Sequence, residues 1–412
     1  MKKVMVIGGG ASGIVAAISA ARHGAEVTIL EHNDRIGKKI LSTGNGKCNY
    51  TNRRQGLRFY RGENPAFVLP VLKQFGFKET IAFFKELGIY PKERDGYFYP
   101  ASGQASSVLD VLRMELDNLS VKVKTGCQLN AVQKSKNGFQ IRTSLGTFQS
   151  DSLLFACGGK AFPKSGSDGS AFPYISKFGH TWIEMTPALV QMKAKQSFFK
   201  SLAGIRADCS VTLNTPDGEY RDRGEVQFTS EGISGIPSFQ LSRYAAKAIA
   251  DGKKAEVSLD LAPFLTEEEL RLELNSRFRQ TSRKTCEEAL IGLFSKKFIP
   301  VLLKENHIPL KTPANQLTMA EQDKLLRYLK HMDVTITAVK GFEFAQTAAG
   351  GVDTAELHAH TLESKLVKGL YFAGEVIDID GMCGGYNLQW AWSSGYVAGR
   401  NAARRDGSHD SG

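Results

Sequence analysis

From residue 4 the chain runs Val4-Met5-Val6-Ile7, Gly8-Gly9-Gly10-Ala11-Ser12-Gly13, an Ala/Ile/Val-rich stretch to Arg22, then Glu26-Val27-Thr28-Ile29-Leu30. A short apolar strand, a G-x-G-x-x-G turn, a helix and a second strand in that order define a βαβ unit of a parallel sheet. Gly8 permits the tight turn, Gly10 lets the backbone approach a pyrophosphate, and Gly13 allows close helix-to-strand packing. The helix start at Ala11 and Ser12 offers free N–H groups and the positive dipole end. Glu31, eighteen residues after Gly13, ends the second strand, where a carboxylate can accept hydrogen bonds from a ribose diol and disfavours a 2′-phosphate. The same stretch, Val4 to Ala21, is uncharged and follows Lys2-Lys3, as an export signal would, but three consecutive glycines break it. No other run approaches the ~20 apolar residues of a membrane span. The six cysteines contain no C-x-x-C pair, so neither a disulfide framework nor a metal site is indicated. A soluble, cytoplasmic protein is expected.

Four later features favour FAD over NAD as the resident cofactor. Arg35-x-Gly37-x-Lys39, with Lys38 inside it, follows Glu31 closely. Leu153 to Gly159 is an apolar strand ending in small residues, among them Ala156, Gly158 and Gly159. Gly369 to Glu375 is a strand closing on Gly374 and a carboxylate. Gly384-Gly385-Tyr386-Asn387-Leu388-Gln389 starts the last helix, whose dipole can stabilise negative charge on a reduced flavin. No second G-x-G-x-x-G occurs, so NAD(P)H is expected to visit the flavin as an outside reductant.

Further helices are expected over 65–87, from Thr266 and Thr318 through capping boxes with Glu269 and Glu321, and over 386–400. Segments 121–125, 128–134, 138–143 and 152–157 read as a small meander joined to the first sheet, with a hairpin at Asn137-Gly138. Residues 191–262 read as strands and turns, and the polar tail from Arg404 as frayed.

Thr43-Gly44-Asn45-Gly46-Lys47-Cys48-Asn49, Gly224 to Thr229 with Gly232-Ile233-Ser234-Gly235, and Gly374 to Gly381 through Gly384 to Gln389 together resemble the BaiN/RdsA family of FAD-dependent oxidoreductases. The resemblance spans nearly the whole chain. It implies an α/β architecture: a Rossmann-like, glutathione-reductase-like FAD-binding domain in two segments (1–190 and 341–405), interrupted by a β-rich substrate domain (191–262) and a helical part (263–340). It also extends the cofactor contacts to Thr43, Gly44, Gly46, Cys48, Asn49, Val132, Gly385, Tyr386, Asn387, Leu388 and Gln389. Many members carry His after Phe-Thr in the middle motif. Here Ser230-Glu231 follows, so no acid–base role is carried over.

The family implies reduction of an activated C=C bond, either a conjugated enone of a steroid-like molecule or a uridine of large-subunit ribosomal RNA. The charge is 53 basic against 42 acidic residues, net +11. Eight of the basic residues fall between Arg35 and Arg61 without an acidic one, interleaved with Tyr50, Phe59 and Tyr60. That pattern favours ribosomal RNA as substrate, with Arg53, Arg54, Arg58 and Arg61 contacting it. Dihydrouridine formation is then the leading expectation, a hydride being added to one carbon of the uracil C=C and a proton to the other. The alternatives are enone reduction of a small hydrophobic substrate, and an RNA-binding or assembly protein with structural FAD. Cys48 and Cys383 stand beside cofactor motifs as the sole proton-donor candidates. His180, His307, His331, His358 and His360 show no partner spacing.

Overall fold

The computed structural model describes residues 1–279 and 283–404. The expected frayed tail beyond Arg404 lies outside these residues. The chain divides into two compact units, residues 1–185 with 346 onward, and Thr186–Ala345.

The first unit is built on a five-stranded parallel sheet in the order Leu370–Phe372, Ser152–Phe155, Lys3–Ile7, Glu26–Leu30, Lys122–Lys124. Val4, Val6, Leu153, Leu154 and Phe155 are buried, as strands covered on both faces must be. The first helix, Ala11–Arg22, and the last, Tyr386–Ala403, pack on one another. Leu129–Ser135, Gly138–Thr143 and Gly146–Ser150 form a separate antiparallel sheet. The expected meander therefore splits. Its outer members, Lys122–Lys124 and Ser152–Phe155, join the parallel sheet, and Gly146–Ser150 is a strand that the polar Gly-Thr-Phe-Gln-Ser run hides.

The helix expected over 65–87 is two helices, Val68–Gln74 and Phe77–Glu86. Gly76 breaks it, its N–H donating to Glu79 Oε2 at 2.9 Å in the cap of the second helix. The flanks of the insertion are neighbours within this unit, Asp353 N donating to Thr181 O at 3.2 Å. The body thus closes on itself where the chain leaves it.

The second unit is a closed barrel of Met192–Ala194, Gly232–Gly235, Gly218–Thr229, Arg206–Thr215, Ala255–Asp260 and Met332–Val339. The reading of 191–262 as strands and turns differs in two ways. Ile236–Ala250 is a helix with Pro237 in its first turn and Leu241 and Ala245 buried, and the last barrel strand lies beyond residue 262. The helices after Thr266 and Thr318 start as their capping boxes direct, Glu269 N and Glu321 N donating to the threonine hydroxyls at 3.2 and 3.3 Å. Barrel residues Val211, Phe228 and Leu259 and helix residues Leu274, Phe278 and Leu326 share one core.

Candidate functional site

The first unit holds a cavity of about 460 Å³ at the carboxyl end of its parallel sheet, where open α/β sheets bind ligands. Its floor is the turn Gly8–Ser12. Gly8 takes a φ of +102°, and a Cβ there would lie 2.6 Å from the Ala156 carbonyl oxygen. Gly13 stands behind this turn rather than on the wall. A Cβ on it would come within 2.0 Å of the Gly8 carbonyl oxygen, so its absence lets the helix seat against the strand. Nothing would meet a Cβ on Gly10, whose backbone faces open space on the cavity wall.

Glu31 lines the cavity and is buried. Its Oε2 accepts from Gly9 N at 2.7 Å, and its Oε1 accepts from Asn33 N at 2.8 Å and Asn33 Nδ2 at 2.9 Å. The carboxylate therefore braces the glycine turn from the position where the sequence placed a ribose partner. Lys39 Nζ donates to Glu375 Oε2 at 2.7 Å, and Glu375 Oε1 accepts from Ala348 N at 3.0 Å. Lys38 Nζ donates at 3.2 Å to Asn33 Oδ1 and to Asp34 Oδ1. At the start of the last helix Asn387 Oδ1 accepts from Gly381 N at 2.7 Å and its Nδ2 donates to Gly381 O at 2.8 Å. That pair of bonds locks the approach to Leu388 on the wall.

Of the residues expected to contact the cofactor, Gly8, Gly10, Ala11, Ser12, Glu31, Lys38, Lys39, Thr43, Ala156, Gly158, Glu375, Asn387 and Leu388 line this one cavity. The others lie off its wall. Gly44 and Gly46 are exposed in the turn Ile40–Gly46. The Asn49 amide is taken by the Phe98 and Thr51 carbonyls at 3.1 and 3.0 Å. Val132 is buried in its antiparallel strand, opposite Ile141. Gly159 and Gly374 back onto Glu375 and Ser12. Gly385 abuts Thr51, and Tyr386 stacks on Phe59 at 4.5 Å. Gln389 is fully buried between Thr51, Thr80 and Ser393, and its bonds anchor the last helix.

Neither proton-donor candidate reaches the cavity. Cys48 is fully buried off the wall, and burial pushes its thiol up to about 12. Cys383 is half-buried, also off the wall. Two other cysteines do line the cavity, Cys127 and Cys157, and burial raises the Cys157 thiol to about 12, so that it is protonated at neutral pH.

Sequence reasoning missed the far wall, Gln128, Asn130, Ser165, Ser167 and Tyr174. The signal available was the small polar run Gly166-Ser167-Asp168-Gly169-Ser170 soon after Gly158-Gly159.

The donor set fits a flavin dinucleotide. Bare backbone at a helix N-terminus suits a pyrophosphate, and a buried carboxylate beside it suits a ribose. The Ser167 hydroxyl on the wall is buried without a hydrogen-bond partner, a vacancy that a polar ligand atom would fill.

The four arginines expected at RNA are not equivalent. Arg53 is hydrogen-bonded to Glu93, and the Arg61 guanidinium donates to the Arg58 and Tyr60 carbonyls at 2.8 and 3.1 Å. Arg54 and Arg58 are exposed.

The family described as HI0933-like protein Rossmann domain matches residues 2–401, and the chain belongs to it. It is thus a flavoprotein-type oxidoreductase with a Rossmann-like fold. A 3-dehydro-bile acid delta(4,6)-reductase of Clostridium scindens is 48% identical over 98% of this chain and 100% of its own length. Ribosomal RNA dihydrouridine synthases of Haemophilus influenzae and Escherichia coli are 29% and 27% identical, over 97% and 96% of this chain and 98% and 97% of their lengths. No helix among the described residues is long and apolar enough to cross a membrane.

Proposed function

We propose that this protein is an FAD-dependent reductase of a C=C bond conjugated to a carbonyl in a small, largely apolar ring substrate of the bile-acid kind. The observation that carries the reading is the 48% identity, end to end, with a bile-acid reductase, against 29% or less with the RNA-modifying relatives. The geometry supports the same choice. Of the eight cations that spoke for RNA, Lys38, Lys39 and Arg53 are paired with Asp34, Glu375 and Glu93, and Arg61 is folded onto backbone carbonyls. The run of eight cations is thus reduced to four without an ion-paired carboxylate among the described residues, Arg35, Lys47, Arg54 and Arg58.

When bound, FAD supplies the hydride that adds to the electron-poor carbon of the enone. The Gly8–Ser12 turn would hold its pyrophosphate and Glu31 its ribose, while Ser167 would offer a hydroxyl to a polar atom of the ligand. Lys39 and Glu375 hold each other and Ala348 N, closing one wall. Cys157 keeps its proton, so its sulfur does not compete as a thiolate nucleophile. NADH or NADPH is the proposed outside reductant.

The test is a half-reaction. Holoprotein photoreduced without oxygen is mixed with a 4-en-3-one or 4,6-dien-3-one steroid acid, and flavin reoxidation is followed together with the product's mass. Reoxidation with a gain of two hydrogens is expected. No reoxidation by any enone, with reoxidation by unmodified large-subunit ribosomal RNA, would return the substrate to RNA.

A further inference from the structure

Sorted by partner, the charge run leaves Arg35, Lys47, Arg54 and Arg58 without an ion-paired carboxylate among the described residues. Arg35 is on the wall of the dinucleotide cavity and Lys47 follows the turn Ile40–Gly46, so Arg54 and Arg58 are the two that stand apart from both. Arg54 and Arg58 are exposed, and neither guanidinium has a carboxylate partner among the described residues. Both are tied to the turn that opens the last helix. Arg54 N donates to Asn52 Oδ1 at 2.9 Å, and Asn52 Nδ2 donates to the Gly384 carbonyl at 3.0 Å. The Arg58 guanidinium lies over the Phe59 ring at 4.6 Å, and that ring stacks on Tyr386 at 4.5 Å with 9° between planes. The Arg54 Nε lies 4.0 Å from a Cβ built on Gly96, which also neighbours Asn52 Oδ1, and burial raises the Tyr386 phenol to about 12 against the opposing pull of both guanidinium groups. The next two residues, Asn387 and Leu388, are on the cavity wall.

We propose that Arg54 and Arg58 form a clamp for a carboxylate carried by the reducible substrate, and that they select acids over neutral analogues. This rests on the reductase reading above and names the substrate class within it. Stacking on an aromatic face holds a guanidinium in place while leaving its N–H edge open, the arrangement that suits planar anion recognition. Two uncompensated arginines match one anionic group. A nucleic-acid track would need a row of cations each meeting a phosphate, and Arg53 and Arg61, which would have extended the row, are spent on Glu93 and on the backbone.

The experiment compares a 4-en-3-one steroid acid with its methyl ester on holoprotein. Binding is followed by the change in flavin absorbance and reduction by steady-state kinetics, for wild type, the double variant Arg54→Gln/Arg58→Gln, and Arg53→Gln. Wild type is expected to bind the acid about tenfold or more tighter than the ester, the scale of one charge-assisted contact. The double variant should bring that ratio towards one at unchanged flavin content, by a rise in the acid's KM. Arg53→Gln should keep the wild-type ratio. Equal binding of acid and ester by wild type overturns the clamp, as does a double variant that still discriminates. A double variant that loses affinity for a ribosomal RNA fragment while its acid-to-ester ratio stays at the wild-type value overturns it in favour of RNA. Selective binding of the acid without reduction would sink the reductase reading and leave the clamp standing. Reduction of both substrates without selectivity would do the reverse.

Discussion

Gly13 and His180 mark the two extremes of what a single residue discloses. Gly13 is legible because its role is local. The motif says that something must come close, and the structure supplies the Gly8 carbonyl at 2.0 Å from a Cβ built there. Gly13→Ala is expected to lift the first helix from its strand, and the purified variant should carry little flavin absorbance per chain. His180 is illegible because its partners are 176 and 184 residues away: Nδ1 meets Glu356 Oε2 at 2.6 Å and Nε2 meets Ser364 Oγ at 2.8 Å. The Ser364 hydroxyl oxygen already accepts from Leu366 N and Val367 N, so its proton goes to Nε2 and Nδ1–H donates to Glu356. Burial lowers the His180 pKa below the ordinary value of 6.5. Below that value the unfolded chain takes up a proton that the folded one refuses, so stability falls as pH drops from the ordinary value through the lowered one. The melting temperature should decline on acidification, with a shallower slope in His180→Asn. At neutral pH that variant should lose about 1–3 kcal/mol for the buried groups it strands.

Among the elements, the last helix decides most. Its glycines at 395 and 399 face the first helix, where a Cβ on either would come within 2.4 Å of Ser12 O or 2.1 Å of Ala16 O. The G-x-x-x-G spacing is visible in the sequence, yet the helix it meets begins near residue 11, and only the fold brings them together. Gly399→Leu should force the helices apart, costing about 1–3 kcal/mol in denaturant titration. Because the first helix also carries the dinucleotide turn, flavin retention should fall with stability. One misread element has a local cause. Ile236–Ala250 follows four strands and opens on Gly235-Ile236-Pro237, which reads as a turn, although Pro in the first helical turn costs no hydrogen bond.

For the molecule as a whole, every residue on the wall of the 460 Å³ cavity belongs to the first unit, and the two flanks of the insertion meet within that unit. Replacing residues 186–345 with a short flexible linker is therefore expected to leave a folded, yellow protein, and absorbance with thermal melting would check it. Loss of flavin would show that the second unit is needed to hold the first together. The sequence by itself determined the strand–turn–helix unit, the cavity floor and the capping boxes, because each depends on neighbours within a few residues along the chain. Tertiary structure alone decided which charges are free. Arg53 loses its claim on a ligand to Glu93, forty residues away, while Arg54 beside it does not. Coulombic and hydrogen-bond pairing depend on distance in space, and a linear count of cations carries no record of that distance.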